Sequence, residues 1–312
     1  MARFLVTGGA GFIGSSISRT LVEQGHSVRI IDDFSTGRRE NLEGIEDRIE
    51  LIEGSICDED VLAKGFKDVD YCLHQAAIAS VPRSIHEPVE CNRANIEGTL
   101  KIFLAARDCG AKRVVFASSS AVYGNASGVP ADEGQPLKPI SPYGVMKATN
   151  ELYARVCADL YDIEIVGLRY FNVFGPRQDP ASQYAAVVPL FVTAMLAGKR
   201  PTVHGDGRQS RDFSYVENVV AANVRACLAE GPVTGVYNVA CGQSTAILDL
   251  VGMLNSILGT DIEPDFGPAR AGDIRQSWAN IEKARGVLGY EPLVSVEEGL
   301  EKTVEWYRNQ GR

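Results

Sequence analysis

The sequence lacks the features that mark disulfide scaffolds, metal centres and membrane spans. Its seven cysteines are scattered and contain no Cys-x-x-Cys pair, and its four histidines show no ligand spacing. We therefore expect free thiols in a reducing compartment and no metal site. No apolar run approaches the roughly 20 residues that cross a bilayer. Because the first apolar run follows Met1–Arg3 directly, we also expect no secretory signal and a cytoplasmic protein.

The chain also lacks an excess of positive charge. Lysine and arginine number 31 against 40 aspartate and glutamate residues, which gives a net charge of −9. That balance excludes a general role on nucleic acid or on a membrane surface, and any anionic ligand must be held by local groups. With 312 residues, 45 % of them hydrophobic, the chain is long enough for a large core.

The first residues of the chain show the sequence pattern of a dinucleotide-binding unit. In order stand a short apolar strand, a glycine turn, an amphipathic helix, a second apolar strand and an acid: Arg3–Thr7, Gly8-x-x-Gly11-x-x-Gly14, Phe12–Gln24, Ser27–Ile31 and Asp32. Backbone N–H groups of such a turn hold a pyrophosphate, and the acid accepts hydrogen bonds from the adenosine ribose. Asp32 would repel a 2′-phosphate, which favours NAD over NADP. The alternative is a tight turn whose glycines serve conformation alone.

Strands continue to alternate with helices through the first half of the chain, which predicts an α/β fold with a Rossmann-like, doubly wound parallel sheet. Ligands of such sheets lie at the carboxyl ends of the strands, where Gly8, Asp32, Gln75 and Ser119 all fall. We assign residues 1–175 to the NAD-binding domain, with a return segment at about 212–240. Residues 176–211 and 241–312 form a smaller, C-terminal substrate-binding lobe.

A second motif, Tyr143-x-x-x-Lys147, carries the chemistry. Residues four apart share one face of a helix, so the lysine ammonium is expected to favour the phenolate and to lower the pKa of Tyr143 towards neutrality, together with a positively charged nicotinamide. Ser119 offers a hydroxyl that orients a substrate alcohol. The set predicts reversible oxidation of an alcohol by NAD. A surface tyrosine beside an unrelated lysine is the plain alternative.

Over nearly its whole length the chain resembles the extended short-chain dehydrogenase/reductases, and specifically the nucleotide-sugar 4-epimerases. Five blocks carry the resemblance: Thr-Gly-Gly-Ala-Gly-Phe-Ile-Gly (7–14), Ser-Ser-Ser-Ala-Val-Tyr-Gly (118–124), Ser-Pro-Tyr-Gly-Val-Met-Lys (141–147), Arg-Tyr-Phe-Asn-Val-Phe-Gly-Pro-Arg (169–177) and Arg-Asp-Phe (211–213). It implies that Tyr143 is the catalytic base and acid, Lys147 its electrostatic partner, and Ser119 the hydroxyl that binds the sugar O4. Ser118 and Ser120 leave that last assignment open by one residue.

The resemblance also implies two sets of binding residues. The cofactor set is Gly8, Gly11, Phe12, Ile13, Gly14, Asp32, Asp33, Ser35, Gly37, Ser55, Ile56, Gln75, Ala76, Ala77, Asn95, Ser118, Tyr143, Lys147 and Tyr170. The substrate set is Ser119, Ser120, Asn172, Val187, Thr202, His204, Arg211, Arg270, Asp273 and Ser277. Arg211 and Arg270 would meet the diphosphate, because a guanidinium binds two oxygens at once. Ser55 departs from the aspartate that the family commonly places against adenine.

Three positions bear on which member of the family this is. Dehydratases and decarboxylases of this fold carry a glutamate at the position of Ala121, so simple epimerisation is favoured. Ser277 stands where epimerases restricted to plain hexoses carry a large tyrosine, which leaves room for an acetamido group. Asp179 stands where enzymes of glucuronate sugars place an arginine, and we expect its carboxylate to repel a sugar acid.

We therefore predict an NAD-dependent UDP-sugar 4-epimerase that interconverts UDP-GlcNAc and UDP-GalNAc, and UDP-glucose and UDP-galactose as well. The alternatives are an epimerase restricted to UDP-glucose and UDP-galactose, a UDP-glucuronate epimerase, a 4,6-dehydratase or 4-reductase, a catalytically silent NAD-binding regulator and a structural partner-binding module. The resemblance further implies a homodimer joined by a four-helix bundle of the helices Pro88–Cys109 and Tyr143–Tyr161, although both helices could equally pack on the sheet.

Overall fold

The computed structural model describes residues 1–124, 128–180, 186–269 and 274–310. The strands are β1 (Arg3–Thr7), β2 (Ser27–Asp32), β3 (Ile49–Glu53), β4 (Tyr71–His74), β5 (Arg113–Ser119), β6 (Glu164–Tyr170), β7 (Val173–Phe174), β8 (Thr202–His204), β9 (Ser210–Arg211), β10 (Ser214–Tyr215), β11 (Gly235–Val239), β12 (Thr245–Ala246), β13 (Asp265–Gly267) and β14 (Gln276–Ser277). The α-helices are α1 (Phe12–Glu23), α2 (Glu59–Gly65), α3 (Val81–His86), α4 (Pro88–Asn92), α5 (Gly98–Cys109), α6 (Pro142–Tyr161), α7 (Val187–Leu196), α8 (Val216–Leu228), α9 (Ile247–Leu258), α10 (Glu282–Leu288) and α11 (Val296–Gln310).

A seven-stranded sheet forms the centre of the molecule. Its order is β11-β6-β5-β4-β1-β2-β3, and every neighbouring pair is parallel. The strand order reverses between β1 and β4, so the crevice above their carboxyl ends is the expected place for a ligand. The predicted doubly wound parallel fold is confirmed.

The two faces of the sheet bury different side chains of the same strands, because successive residues of a strand point to opposite faces. On β1, Phe4 and Val6 join the core beneath α1 and α8, whereas Leu5 joins the core beneath α2, α5 and α6. Both cores are almost free of solvent. The sheet therefore holds α1 and α6 on opposite sides, and the turns that carry them meet at one edge.

Short strands and peripheral helices make up most of the segments that we assigned to the smaller lobe. β9 lies between β12 and β14, and β8 pairs with β13. Within the segment at about 212–240 that we expected to return to the sheet, β11 pairs with β6, whereas most of the remainder forms α8. The division into the two domains stays an interpretation of the sequence.

The predicted helix from Pro88 to Cys109 is interrupted. α4 is followed by a π-helical turn over Arg93–Glu97 and then by α5. The short helix α3 precedes them, and Ser80 caps its N-terminus by accepting a hydrogen bond from the Arg83 N–H at 3.1 Å. Within the part of the chain that the structure describes, no helix is both long and apolar enough to cross a bilayer.

Candidate active site

A cavity of about 1500 Å³ opens at the carboxyl edge of the central sheet. Its wall collects most of the residues that the sequence predicts for cofactor, catalysis and substrate. These are Gly8, Gly11, Phe12, Ile13, Gly14, Asp32, Asp33, Ser35, Gly37, Ser55, Ile56, Gln75, Ala76, Ala77, Ser118, Ser119, Ser120, Tyr143, Lys147, Tyr170, Asn172, Arg211 and Ser277. The topology thus brings residues from both ends of the chain into one crevice.

The glycine turn forms one end of the cavity through close backbone approaches. Gly8 has φ +67°, and a Cβ there would lie 2.6 Å from the Ala76 nitrogen. A Cβ on Gly14 would lie 2.1 Å from the Gly8 carbonyl oxygen. Gly11 is the N-cap of α1 and offers no side-chain cap, so the first N–H groups of this helix face the cavity. Uncapped donors and the helix dipole together suit a pyrophosphate.

Asp32 closes the cofactor end. Its Oδ2 accepts a hydrogen bond from the Ala10 N–H at 2.8 Å, and its Oδ1 accepts one from the Phe34 N–H at 2.9 Å. Burial raises the pKa of this carboxyl, while the two backbone bonds act in the opposite direction. Carboxylate oxygens have further lone pairs, so Asp32 can also accept from ribose hydroxyls.

The predicted catalytic residues converge on the opposite wall. Tyr143 and Lys147 lie on the first turns of α6, whose N-terminus is capped by Ser141. The Lys147 Nζ lies 5.7 Å from the centroid of the Tyr143 ring and donates a hydrogen bond to the Ala117 carbonyl at 2.7 Å. Ser119 ends β5 directly beyond that carbonyl. Phenol, ammonium and hydroxyl therefore face one volume.

The expected lowering of the Tyr143 pKa is not present in the chain alone. Burial raises the pKa of Tyr143 to about 12, and the hydrogen bond with the Ser119 side chain offsets only part of this rise. Burial also lowers the pKa of Lys147 to about 8, against the opposing charge of Glu151. Desolvation disfavours the phenolate of Tyr143 and the ammonium of Lys147, and it is the largest influence on both pKa values.

The structure distinguishes among the three adjacent serines. The Ser118 hydroxyl donates to Glu151 Oε1 at 2.5 Å, away from the tyrosine. The Ser119 hydroxyl, by contrast, lies near the Tyr143 phenol, whose pKa it acts to lower, and it accepts from the Ala121 N–H at 3.1 Å. These contacts favour Ser119 over Ser118 as the partner of Tyr143, and all three serines reach the cavity.

Three predicted substrate residues line a second, adjoining cavity of about 260 Å³. Val187, Thr202 and His204 lie in its wall. Asn172 and Arg211 line both cavities and so mark their junction. Arg211 is oriented by its Nη1, which donates to the Ser210 and Ile274 carbonyls at 2.8 and 2.6 Å. An elongated ligand with an anionic middle section would span this junction.

Asn95, a predicted cofactor residue, lies behind the cavity wall instead. Its side chain is fully buried, accepts from the Ile78 N–H at 2.8 Å and donates to the Ile78 carbonyl at 3.1 Å. Its amide thereby holds the backbone that follows Ala77 and supports the wall, and the predicted contact with the cofactor stays a prediction.

The role expected of Asp179 is also corrected. Its carboxylate pairs with the Arg38 guanidinium at 2.5 Å, and it lines neither cavity. Because this carboxylate is paired with Arg38 and lies outside the wall, Asp179 provides no argument against glucuronate. The predicted residues Arg270 and Asp273 lie outside the described residues.

Two residues that shape the site, Asn223 and Tyr123, were not predicted as site residues from the sequence. Asn223 on α8 donates to the Tyr170 hydroxyl at 2.8 Å and accepts from the Gln75 amide at 3.1 Å, so it fixes two wall residues. Tyr123 lines the cavity and donates to Asn238 Oδ1 at 2.7 Å. Tyr123 was visible in the Tyr-Gly pair after the serines, whereas nothing near Asn223 in the sequence signals its partners.

Taken together, fold and site define a dinucleotide-dependent enzyme with a tyrosine, a lysine and a serine gathered at one wall of its cavity. The uncapped N-terminus of α1 suits the pyrophosphate of NAD, Asp32 its adenosine ribose, and Lys147 its nicotinamide ribose.

Comparison with known proteins agrees with this class. The model of the NAD dependent epimerase/dehydratase family matches residues 4–240, and the chain belongs to that family. The UDP-glucose 4-epimerase of Mycolicibacterium smegmatis is 40 % identical over 99 % of this chain and 100 % of its own. The resemblance to extended short-chain dehydrogenase/reductases is thereby confirmed, and NAD as the cofactor is confirmed at the level of this family.

Two solved structures are similar along the whole chain. The UDP-N-acetylglucosamine 4-epimerase from Methanobrevibacter ruminantium M1, in complex with UDP-N-acetylmuramic acid, is 42 % identical with a TM-score of 0.95, and the match covers 99 % of both chains. The UDP-glucose 4-epimerase from Thermotoga maritima, with UDP-glucose, is 39 % identical with a TM-score of 0.94, and the match covers 99 % of this chain and 100 % of that one.

Proposed function

We propose that the protein is an NAD-dependent UDP-sugar 4-epimerase that interconverts UDP-GlcNAc with UDP-GalNAc and also UDP-glucose with UDP-galactose. One observation carries the proposal. Tyr143 lies beside Ser119 and Lys147 in the wall of a cavity that runs from the glycine turn to Ser277, and the Lys147 Nζ lies 5.7 Å from the centroid of the Tyr143 ring. The relatives compared above carry the names of 4-epimerases of these two sugar types, which supports the same reaction.

The residues of the chain account for the proton transfers. Tyr143 accepts the proton of the sugar 4-hydroxyl as C4 is oxidised, and it later returns the proton to the keto oxygen. Ser119 holds that oxygen through its hydroxyl, and Lys147 stabilises the phenolate by its charge. Bound NAD supplies a reversible hydride acceptor at C4 and the positive charge of its oxidised ring. Turning of the 4-keto sugar within the wide cavity exposes its other face.

Ala121 favours epimerisation over dehydration or decarboxylation. It lies in the cavity wall directly after the serines, and its methyl group can neither accept nor donate a proton. Dehydration and decarboxylation need an acid or base in addition to Tyr143. The family places that group at the position of Ala121, which has no ionisable side chain. The reaction therefore ends when the ketone is reduced again.

Ser277 supports the acceptance of N-acetylated sugars. It lies on β14 opposite Arg211 on β9, and both side chains border the main cavity. A serine at this place leaves volume that a tyrosine would fill. Because a roomy pocket does not reject a smaller ligand strongly, plain hexoses should also be accepted.

Product analysis tests the proposal. UDP-GlcNAc, UDP-glucose and UDP-glucuronate are incubated separately with the enzyme and NAD, and products are identified by proton NMR. We expect conversion of the first two to their C4 epimers. Accumulation of a 4-keto sugar would indicate a dehydratase, conversion of UDP-glucose alone a restricted epimerase, and conversion of UDP-glucuronate alone a sugar-acid enzyme. If none of the three nucleotide sugars is converted, the result would favour a catalytically silent NAD-binding regulator.

We further propose that the protein is a homodimer formed through α6 and the helical segment Pro88–Cys109, from α4 to α5, packed against it. Large apolar side chains on these helices remain open to solvent. On α6, Leu152 and Leu160 are 53 % and 67 % exposed, and Val89 on α4 is 82 % exposed. Apolar side chains on adjoining helices make a face that a second copy would cover by pairing the same helices.

Light scattering on a sizing column tests the dimer. We expect twice the chain mass for the wild type and a monomer for the variant Leu152→Asp with Leu160→Asp. Leu293→Asp is the matched control, because Leu293 is 60 % exposed and belongs to neither helix. A monomeric wild type, or a double variant that stays dimeric, would contradict this assembly.

A further inference from the structure

The catalytic helix carries a third polar residue in register with the first two. Tyr143, Lys147 and Glu151 follow one another at intervals of four on α6 and so share one helix face. Tyr143 and Lys147 line the cavity, but Glu151 does not. It is buried one turn behind the lysine.

The Glu151 carboxylate is held by two strands of the sheet. Its Oε1 accepts from the Ser118 hydroxyl at 2.5 Å and from Arg169 Nε at 2.9 Å. Its Oε2 accepts from Arg169 Nη2 at 2.7 Å. The side chains of this pair are only 6 % and 3 % exposed. A buried carboxylate is tolerated only with such complete pairing, so the geometry of this contact is tightly set.

The network extends from Glu151 to the cavity wall. Ser118 and Arg169 are direct partners across β5 and β6, and Arg169 and Asn238 are partners across β6 and β11. Arg169 Nη1 donates to the Tyr123 hydroxyl at 2.8 Å, and that hydroxyl donates to Asn238 Oδ1 at 2.7 Å. One carboxylate therefore connects α6, three strands and the Tyr123 side of the cavity.

We propose that Glu151 is a positioning residue of this active site: it fixes α6 against β5 and β6, and it places a carboxylate one helical turn from the Lys147 ammonium. The inference rests on the proposed function of Tyr143 and Lys147. It assigns no contact with substrate or cofactor to Glu151, which acts through Ser118, Arg169 and Lys147.

Glu151 is the charged group that opposes the lowering of the Lys147 pKa by burial. Among the described residues, Tyr143 on α6 and His74 on β4 are further ionisable side chains near the ammonium, and the Arg169 guanidinium lies beyond, paired with Glu151. Burial raises the pKa of Tyr143 to about 12 and lowers that of His74 to about 3, so both are neutral near pH 7. The Glu151 charge is the influence that raises the pKa of Lys147 against burial.

The test is Glu151→Gln, with Glu164→Gln as the matched control. Glu164 also pairs with an arginine across β5 and β6, namely Arg113, but at the opposite end of these strands from the cavity. The Lys147 pKa is measured from the ε-carbon NMR shift, and kcat and KM are measured against pH. In Glu151→Gln we expect the Lys147 pKa to fall by about one unit. The alkaline limb of kcat should move with it, while KM stays unchanged. Glu164→Gln should move neither quantity.

The outcomes separate this inference from the proposed function. An unaltered Lys147 pKa and an unaltered pH profile in folded Glu151→Gln would overturn the inference. If that variant does not fold, Glu151→Gln is combined with Arg169→Met and compared with Arg169→Met alone, because both proteins then lack the arginine charge. A lower Lys147 pKa in the double variant supports the inference, and equal pKa values in the two proteins would overturn it. The Lys147 titration by NMR does not require turnover. If the wild type proved inactive, the proposed function would be refuted, but the titration would still test the role of Glu151.

Discussion

The Lys147 ammonium donates to the Ala117 carbonyl at 2.7 Å, which ties the catalytic helix to the strand that ends in Ser119. This one bond sets the lysine at a fixed place beneath the tyrosine and orders the carboxyl end of β5. The ammonium keeps further N–H donors for a ribose or for the phenolate. In the proposed mechanism, proton transfer and strand geometry are therefore linked through Lys147.

The charge of Lys147 should be visible in the pH dependence of turnover. Burial lowers the pKa of Lys147 to about 8, so wild-type kcat should decline as pH rises through that value and the ammonium loses its proton. Lys147→Met should lower kcat about 100-fold or more. Lys147→Arg stays charged at every accessible pH, so its residual activity should lack the alkaline decline. A wild-type decline that persists in the arginine variant would assign it to another group.

Substitutions of the two adjacent serines should have different effects on kcat and KM. Ser119→Ala removes the hydroxyl that lowers the Tyr143 pKa and should lower kcat about 10- to 100-fold. Ser120→Ala, the matched control in the same turn, should raise KM for the nucleotide sugar and leave kcat within about threefold. The opposite split, with kcat lost in the Ser120 variant, would move the catalytic role by one residue.

The size of the side chain at position 277 should decide which sugars are used. Ser277→Tyr fills the volume next to Arg211 and should lower kcat/KM for UDP-GlcNAc at least about 100-fold. The value for UDP-glucose should stay within about fivefold. Ser277→Ala serves as the control and should act on both sugars as the wild type does. Equal losses for both sugars in the tyrosine variant would show that Ser277 does not select by volume.

Buried His74 should make the fold sensitive to acid. Its Nδ1 lies 2.7 Å from the Thr7 hydroxyl and its Nε2 lies 3.0 Å from the Thr99 hydroxyl, and burial lowers its pKa to about 3. The unfolded chain takes up this proton near pH 6.5, whereas the folded chain does not. Stability is therefore fully present above pH 6.5 and is lost as pH falls towards 3. Between pH 7 and 5 the loss from His74 should be about 2 kcal/mol.

Denaturant unfolding at several pH values checks this sensitivity. His74→Gln should be less stable than the wild type at pH 7 because it loses packing and hydrogen bonds. Its free energy of unfolding should nevertheless fall less steeply between pH 7 and 5. His86→Gln, an exposed substitution at the end of α3, should keep the wild-type slope. Identical slopes in all three proteins would rule out His74 as the source.

Local patterns in the sequence predicted the parts of the site that depend on short separations. The glycine turn and Asp32 belong to one strand–helix–strand unit, and Tyr143 and Lys147 lie one helical turn apart. The rule that ligands lie at strand carboxyl ends then placed Gln75 and Ser119 in the same crevice, and the cavity contains all of them. Each of these inferences needs only periodicity and the direction of a parallel sheet.

Contacts between distant segments could not be predicted in this way. Arg38 and Asp179 are 141 residues apart, and only the fold shows that this carboxylate is paired outside the cavity. Asn95 was assigned to the cofactor by resemblance, whereas its place in a π-helical turn directs its amide to Ile78. The direction of the Tyr143 pKa shift also depended on burial, which spacing does not reveal.

The most direct test of the account is the comparison of wild type and Tyr143→Phe in the conversion of UDP-GlcNAc to UDP-GalNAc, followed by proton NMR. We predict conversion by the wild type and a loss of at least about 1000-fold in kcat for the variant. The melting temperature and the Kd for UDP-GlcNAc should be retained, because phenylalanine keeps the ring. A Tyr143→Phe variant that turns over at the wild-type rate would contradict the assignment of proton transfer to this tyrosine.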